Sequence, residues 1–345
     1  MTRSTSTIPN AQTAYTIVTH LQDYFVTRLN QVSKELGSDT PFEAVEWFRD
    51  EGRHGGGVRY EARDESLFNR ASVNISQIHY DDMPDKALGS ASAISTIIHP
   101  KNPLAPSMHM HISWTELKSG KGYWRIMADL NPSVLNGEDI ETFTQNLKDM
   151  APEYAEEAIK QGNRYFHIPV LGRHRGVSHF YLEDFNSGDK KADEALAQSC
   201  GEMVIDTYIS ILKKRLPETP NDEDHAQQLA YHTLYLFQVL TLDRGTTSGL
   251  LVHDQNDVGI LGSLPSHVAS ALLRMWISKM PSPQEKLLQA IIDALPGGDT
   301  NITEIDETVK AALAKVVRAH YQAHPEALSL QASGNTIPPT VDNHK

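Results

Sequence analysis

The chain of 345 residues contains a single cysteine, Cys200. One thiol closes no disulfide within the chain and supplies no Cys-paired structural zinc site, so a secreted disulfide scaffold and a zinc ribbon are both excluded. That cysteine usage fits a reducing compartment, and a cytoplasmic protein is the expectation. Long apolar runs are missing as well: no stretch approaches the roughly 18 residues that a membrane-spanning helix requires. The opening MTRSTSTIPNAQTAYTIV lacks the continuous apolar core of a secretory signal and is only faintly like a transit peptide. Basic residues are scarce, with 31 Lys and Arg against 44 Asp and Glu and a formal net charge of -13. A surface of that sign repels phosphate backbones and anionic membranes, so no nucleic-acid partner is expected; a local cationic pocket for a small acidic ligand remains compatible. Dinucleotide fingerprints and serine or cysteine nucleophile motifs are absent. Gly55-Gly56-Gly57 shares only its glycines with a phosphate loop, because no Lys-Ser/Thr ending follows.

What is present is enough chain for one large core or two smaller ones, and a legible order of elements. After a tail over residues 1–14 expected to be disordered, Ile17, Val18, Leu21, Phe25 and Leu29 fall near helical spacing. FEAVEWF reads as a short helix leading through the glycines into strand alternation. SAISTIIHP, HMHISWTEL and YWRIMADL, separated by Pro, Asn, Gly and Lys, have the grammar of an antiparallel meander. The periodic stretch 137–162 predicts a helix broken near Pro152, RYFHIPVLGRHRGVSHFYLEDF returns to strand, and helices follow over 190–216 and 222–234. LYLFQVLTLDRGTTSGLLVHD reads as a hairpin bending near Asp243-Arg244-Gly245-Thr246. Ser266 to Leu328 reads as three helices, and 329–345 as a disordered tail. Long strands with helices grouped around them, without βαβ alternation, predict an α+β fold on a large antiparallel sheet flanked by helices. The simplest division is one main domain over 15–298 with a helical C-terminal extension over 299–328.

Candidate chemistry collects in a few places. In a strand over 107–115, His109 and His111 share a face, and His99 on the neighbouring strand end can join them; the alternative is a half-exposed polar sheet face. Arg173, Arg175 and His179 alternate onto one face and suit carboxylate binding, or are simply solvated at a strand entry. Asp243-Arg244 at a bend is either turn chemistry with a local ion pair or a carboxylate aimed at a ligand, and Asp129 before Asn-Pro is open to the same two readings.

The segments WFRDEGRHGGGVRY, FNRASVNIS, SAISTIIHPKNPLAPSMHMHISW, YWRIMADLNP, RYFHIP...RG...FYLEDF and LDRGTTSGLLVHDQNDVGILGSLP occur in this order. Together they resemble the oxygen-dependent coproporphyrinogen III oxidases of haem biosynthesis. IHPKNPLAPSMHM, and DRGT with GSLP, are the most diagnostic. The resemblance implies a homodimer that binds a tetrapyrrole and converts two propionates of coproporphyrinogen III to vinyls, giving protoporphyrinogen IX. It implies molecular oxygen as co-substrate and no organic cofactor, and a divalent metal has been proposed for bacterial members. By motif it assigns His109, Asp184 and Asp243 to catalysis. It assigns Ser95, His111, Ile112, Ser113, Arg173, Arg175 and Arg244 to substrate binding, and His99 with His109 to the metal position. The chain departs from the family pattern at His111-Ile112-Ser113, where the family has Asn-Val-Arg, and at Thr142 and Thr144, which replace histidines. It departs again at Val170-Leu171 in place of His-Arg, and at Asp254-Gln255-Asn256 in the late loop. The departures keep a second reading open, a non-catalytic porphyrin-binding or regulatory paralogue on the same scaffold.

Overall fold

In the computed structural model, which describes residues 2–63, 65–296, 301–337 and 339–344, the period-two alternation of the central strands sorts side chains onto two faces of one sheet. The strands are β1 (Glu43–Phe48), β2 (Gly55–Glu61), β3 (Phe68–His79), β4 (Leu88–Pro100), β5 (Ser107–Leu117), β6 (Gly122–Asn131) and β9 (Ser178–Phe185). They pair antiparallel in the order β1-β2-β3-β4-β5-β6-β9. This is the α+β architecture the patterning predicts, including the meander of β4, β5 and β6.

One face carries Ile94 and Ile98 from β4, Met108, Met110 and Ile112 from β5, and Trp124, Ile126 and Ala128 from β6, all buried. Three helices cover it: α1 (Pro9–Glu35), α2 (Gly137–Met150) and α4 (Lys190–Arg215). Their apolar stripes, among them Leu21, Phe25, Phe143, Val204 and Tyr208, belong to the same core. A fourth helix, α3 (Ala155–Phe166), packs along β9 at the sheet edge. The opposite face is mostly polar, with Ser95, His109, His111, Ser113 and Arg125 among its residues. Its roof is a second helical layer: α5 (Asp222–Thr241), α6 (Arg244–Val252), α7 (Asp257–Ile260), α8 (Ser270–Trp276), α9 (Gln284–Ala294) and α10 (Glu307–Ala323). These helices hold a core of their own, including Leu236, Phe237, Leu288 and Leu313. A small ribbon of β10 (His267–Ala269) and β11 (Ile302–Glu304) ties the layer together.

Four expectations change. FEAVEWF is strand β1, not helix, because it pairs with β2 across the glycines. Gly57 is opposite Trp47, and a Cβ there would collide with the Trp47 indole and the Ile75 carbonyl. The triple glycine therefore serves close strand packing. The expected hairpin is two helices, because α5 from Tyr231 to Thr241 is buried on all sides between the sheet and the C-terminal helices. An all-apolar run has no period to separate strand from helix. The start of α5 is fixed by a reciprocal cap between Asn221 and Asp224. Residues expected to form an N-terminal tail are held in place. α1 starts at Pro9, and Ser6, fully buried, donates its backbone N–H to Gln77 and its hydroxyl to Asp81. The C-terminal segment is likewise attached: Gly334 N–H donates to Glu183, and the short α11 (Thr340–Asn343) places His344 against Tyr80.

Candidate functional site

Between the polar face and its helical roof lies a cavity of about 310 Å³, within the range of small-molecule sites. The floor comes from alternate residues of four neighbouring strands, β3 to β6. Register sets Ser95 opposite His111 and Ile97 opposite His109. On the next strand His109 lies opposite Asp129, and Ser113 opposite Arg125. Asp243, Arg175, Tyr165 and Tyr235 close the sides, and His253, Thr340 and His344 lie at the far end.

The strongest electrostatic feature is a chain of charges. Asp129, with no exposed surface, accepts from His109 Nδ1 at 2.7 Å, from Arg175 at 2.8 Å and from Asn131. Burial alone would raise its carboxyl. The charges of Arg175 and His109 and the hydrogen bonds outweigh that and hold it well below the usual carboxylate range. Arg175 also donates to Gln238 at 2.9 Å and is stacked between Phe166 and Tyr235. Gly176, at φ +74°, turns the chain directly after it; a Cβ there would lie 2.7 Å from Asn131 Oδ1. His111 lies beside Ser113, 3.0 Å from ring Nε2 to Oγ. Burial first and the charge of Arg125 second hold its imidazole well below the ordinary range, so it is neutral.

Asp243 caps α6: its carboxylate accepts from Thr246 N–H at 2.7 Å and from the Tyr165 hydroxyl at 2.9 Å. Arg244 turns inward and donates to Glu183 at 3.1 Å. Of the residues singled out in the sequence, Ser95, His109, His111, Ser113, Arg175 and Asp243 therefore come together around one cavity.

Four others do not. Ile112 is wholly buried on the opposite face with the α1 and α4 core, because strand alternation puts it there. Arg173 is exposed on the two-residue strand β8 (Arg173–His174), which pairs only with β7 (His167–Ile168). The stretch is not one long strand, since Gly172 adopts a left-handed turn just before it. Asp184, at φ 53°, follows a register break opposite Trp124–Ile126 and pairs on the rim with Lys121 at 2.9 Å. Its neighbour Glu183 takes the inward position. His99 is enclosed under α5: its Nδ1 meets the Ser107 hydroxyl at 2.8 Å and its Nε2 the Ser263 carbonyl at 3.2 Å. With both ring nitrogens engaged, His99 does not fit a metal-ligand role beside His109. Among the described residues no group of three or more His, Cys, Asp and Glu side chains is placed to hold a metal ion.

Three contributors lie inside the quoted segments YWRIMADLNP, RYFHIP and FYLEDF but were assigned no role there: Arg125, Tyr165 and Glu183. The ladder partner of Ser113 is the one signal that leads to Arg125, and it requires the strand register. Among the described residues no helix is long and apolar enough to cross a membrane.

Comparison with known proteins agrees with this architecture. The family model for coproporphyrinogen III oxidase matches residues 13–294. The chain is 31% identical over 276 residues to the mitochondrial oxygen-dependent coproporphyrinogen-III oxidase of Rattus norvegicus, covering 73% of this chain and 60% of that protein. It is 28% identical over 287 residues to the Homo sapiens protein, covering 76% and 61%. To the chloroplastic protein of Glycine max it is 29% identical over 252 residues, covering 65% and 64%. The matched segment thus spans about three fifths of the length of these relatives. The chain belongs to the coproporphyrinogen III oxidase family.

Proposed function

We propose that this chain oxidatively decarboxylates a propionate-bearing tetrapyrrole, coproporphyrinogen III above all, in two rounds that yield protoporphyrinogen IX. In each round one propionate carboxylate, one O2 and one proton become a vinyl group, CO2 and hydrogen peroxide. The hydride equivalent lost from the propionate β-carbon and the electron pair released with CO2 account for the product and the reduced oxygen. The observation that carries this reading is the His109–Asp129–Arg175 chain at the cavity wall. Asp129, held ionised, fixes the proton on His109 Nδ1 and leaves Nε2 as the free nitrogen for the cavity. A nitrogen so oriented accepts or returns a proton at the reacting carbon or at reduced oxygen. Arg175 holds the carboxylate in place from the other side, while Ser95, Ser113 and neutral His111 supply hydrogen bonds without adding charge. The electron-rich pyrrole relays to O2 the two electrons that leave with the propionate β-hydrogen and is itself unchanged at the end, so the residues' task is orientation and proton handling.

A homodimer in a reducing, cytoplasmic setting belongs to the same proposal. The buried Cys200 thiol, pushed up to about 12 by burial, is inert and suits that setting.

The test is incubation of the purified protein with coproporphyrinogen III in air, followed by chromatography of the oxidised porphyrins. The expected result is a tricarboxylic intermediate followed by protoporphyrin. In His109→Ala turnover is lost while unfolding stability stays within about 1 kcal/mol. No conversion beside tight porphyrin binding would replace the enzyme by the binding paralogue, and neither conversion nor binding would refute both.

A further inference from the structure

Arg125 projects from β6 onto the cavity face, directly across the ladder from Ser113. One of its terminal nitrogens donates to Glu183 Oε1 at 3.3 Å, and Arg244 donates to the same oxygen at 3.1 Å. The other Glu183 oxygen accepts from Gly334 N–H at 3.0 Å. Glu183 has a fully buried side chain, so it acts as a fixed counter-ion and not as a mobile one. Two guanidinium groups share this one carboxylate. Arg125 Nε and one terminal nitrogen of Arg244 are buried without a hydrogen-bond partner. Buried donors on cations are costly to leave unpaired; Arg125 lines the cavity while Arg244 holds Glu183 from behind it, so an anion entering the cavity would meet the Arg125 guanidinium. Asp243, the other nearby carboxylate, is occupied by the α6 cap and Tyr165.

We propose that Arg125, acting with Arg244 across Glu183, anchors one propionate carboxylate of the tetrapyrrole. The proposal rests on the function given above and adds to it the residue that sets carboxylate selectivity. It also gives the Ser113 departure a physical meaning. Directly opposed residues in an antiparallel ladder have Cα atoms about 4.5–5.5 Å apart. A guanidinium on β6 therefore reaches the space that an arginine at position 113 on β5 would serve.

The experiment is a fluorescence titration with two stable oxidised ligands, coproporphyrin III and its tetramethyl ester, in one detergent-containing buffer. The proteins are the full chain, Arg125→Gln, and the exchange Arg125→Ser with Ser113→Arg. For the free acid, Arg125→Gln is expected to raise Kd about 10- to 150-fold, the weight of a charge-assisted hydrogen bond. The ester's Kd stays unchanged, and the exchange returns acid binding to within about threefold of the original, using the same conversion. Steady-state turnover is expected to show a raised KM with kcat retained, the signature of lost anchoring. Equal acid binding by the full chain and Arg125→Gln would overturn the subsite while leaving the family function standing. Equal loss for acid and ester would also overturn it, since that marks a general distortion. A full chain that binds neither ligand would overturn the proposed function and the subsite together.

Discussion

Acid should unfold this protein through its buried histidines. His99, His179 and His232 are 0%, 4% and 2% exposed. Burial disfavours the imidazolium form in each: His179 is pushed down to about 4, His232 to about 3, and His99 well below its ordinary value. In the unfolded chain the same groups titrate near 6.5. As pH falls below about 6.5 the unfolded state takes up protons that the folded state refuses, so stability is full above that value and declines below it. The decline continues until the folded groups themselves protonate, first His179 near 4. By pH 5 each histidine costs about 2 kcal/mol and the three together about 6 kcal/mol. A domain typically has about 5–15 kcal/mol in total. Urea unfolding followed by tryptophan fluorescence at pH 7, 6 and 5 measures the effect, and the slope reports proton uptake. These three histidines alone contribute about three protons on unfolding at pH 5.5, and the partly buried His111, His253 and His344 add to that uptake. An uptake below one proton would show that these imidazoles are not held neutral and would refute the reasoning.

Asp129→Asn removes the counter-ion of a buried arginine and should cost about 3–5 kcal/mol, read by chemical denaturation. A loss below about 1 kcal/mol would mean that Arg175 finds another partner. Ile112→Ala should cost about 2–5 kcal/mol as a core cavity yet leave KM unchanged, because the side chain faces the opposite layer; a KM change without destabilisation would put it back in the site. Asp184→Asn should change stability by no more than about 0.5 kcal/mol and leave turnover intact, since asparagine tolerates the left-handed backbone and the lost partner is the rim residue Lys121. A collapse of turnover in that variant would restore Asp184 to the catalytic group.

The sheet was legible because its strands alternate and its breakers are local. SAISTIIHP, HMHISWTEL and YWRIMADL became β4, β5 and β6 with little change of bounds. The same alternation correctly put His109 and His111 on one face, although it equally sends Ile112 to the other face, where motif matching alone had placed it at the substrate. What stayed hidden depended on contacts distant in sequence. LYLFQVL is helical because layers from both ends of the chain bury it all round, and no local period records that. The FEAVEWF strand depends on a partner whose glycines admit Trp47.

Glu183 and Asp184 make the same point at the scale of one residue. Two adjacent carboxylates end β9, and which of them turns inward is decided by the register break opposite Trp124–Ile126 and the positive φ of Asp184. Neither is written in the local sequence FYLEDF. Once Glu183 is inward it must find cations, because a lone carboxylate with no exposed surface would be too costly. Arg125 and Arg244 supply them from two different layers. The carboxylate then links the sheet to the roof and holds Arg125 at the wall of a cavity where a carboxylated ligand would need it. A single backbone irregularity thus couples the packing of the two layers to the charge pattern of the site. Substitutions at the β9 end should therefore alter ligand selectivity and layer stability together, whereas those at His109 separate the two.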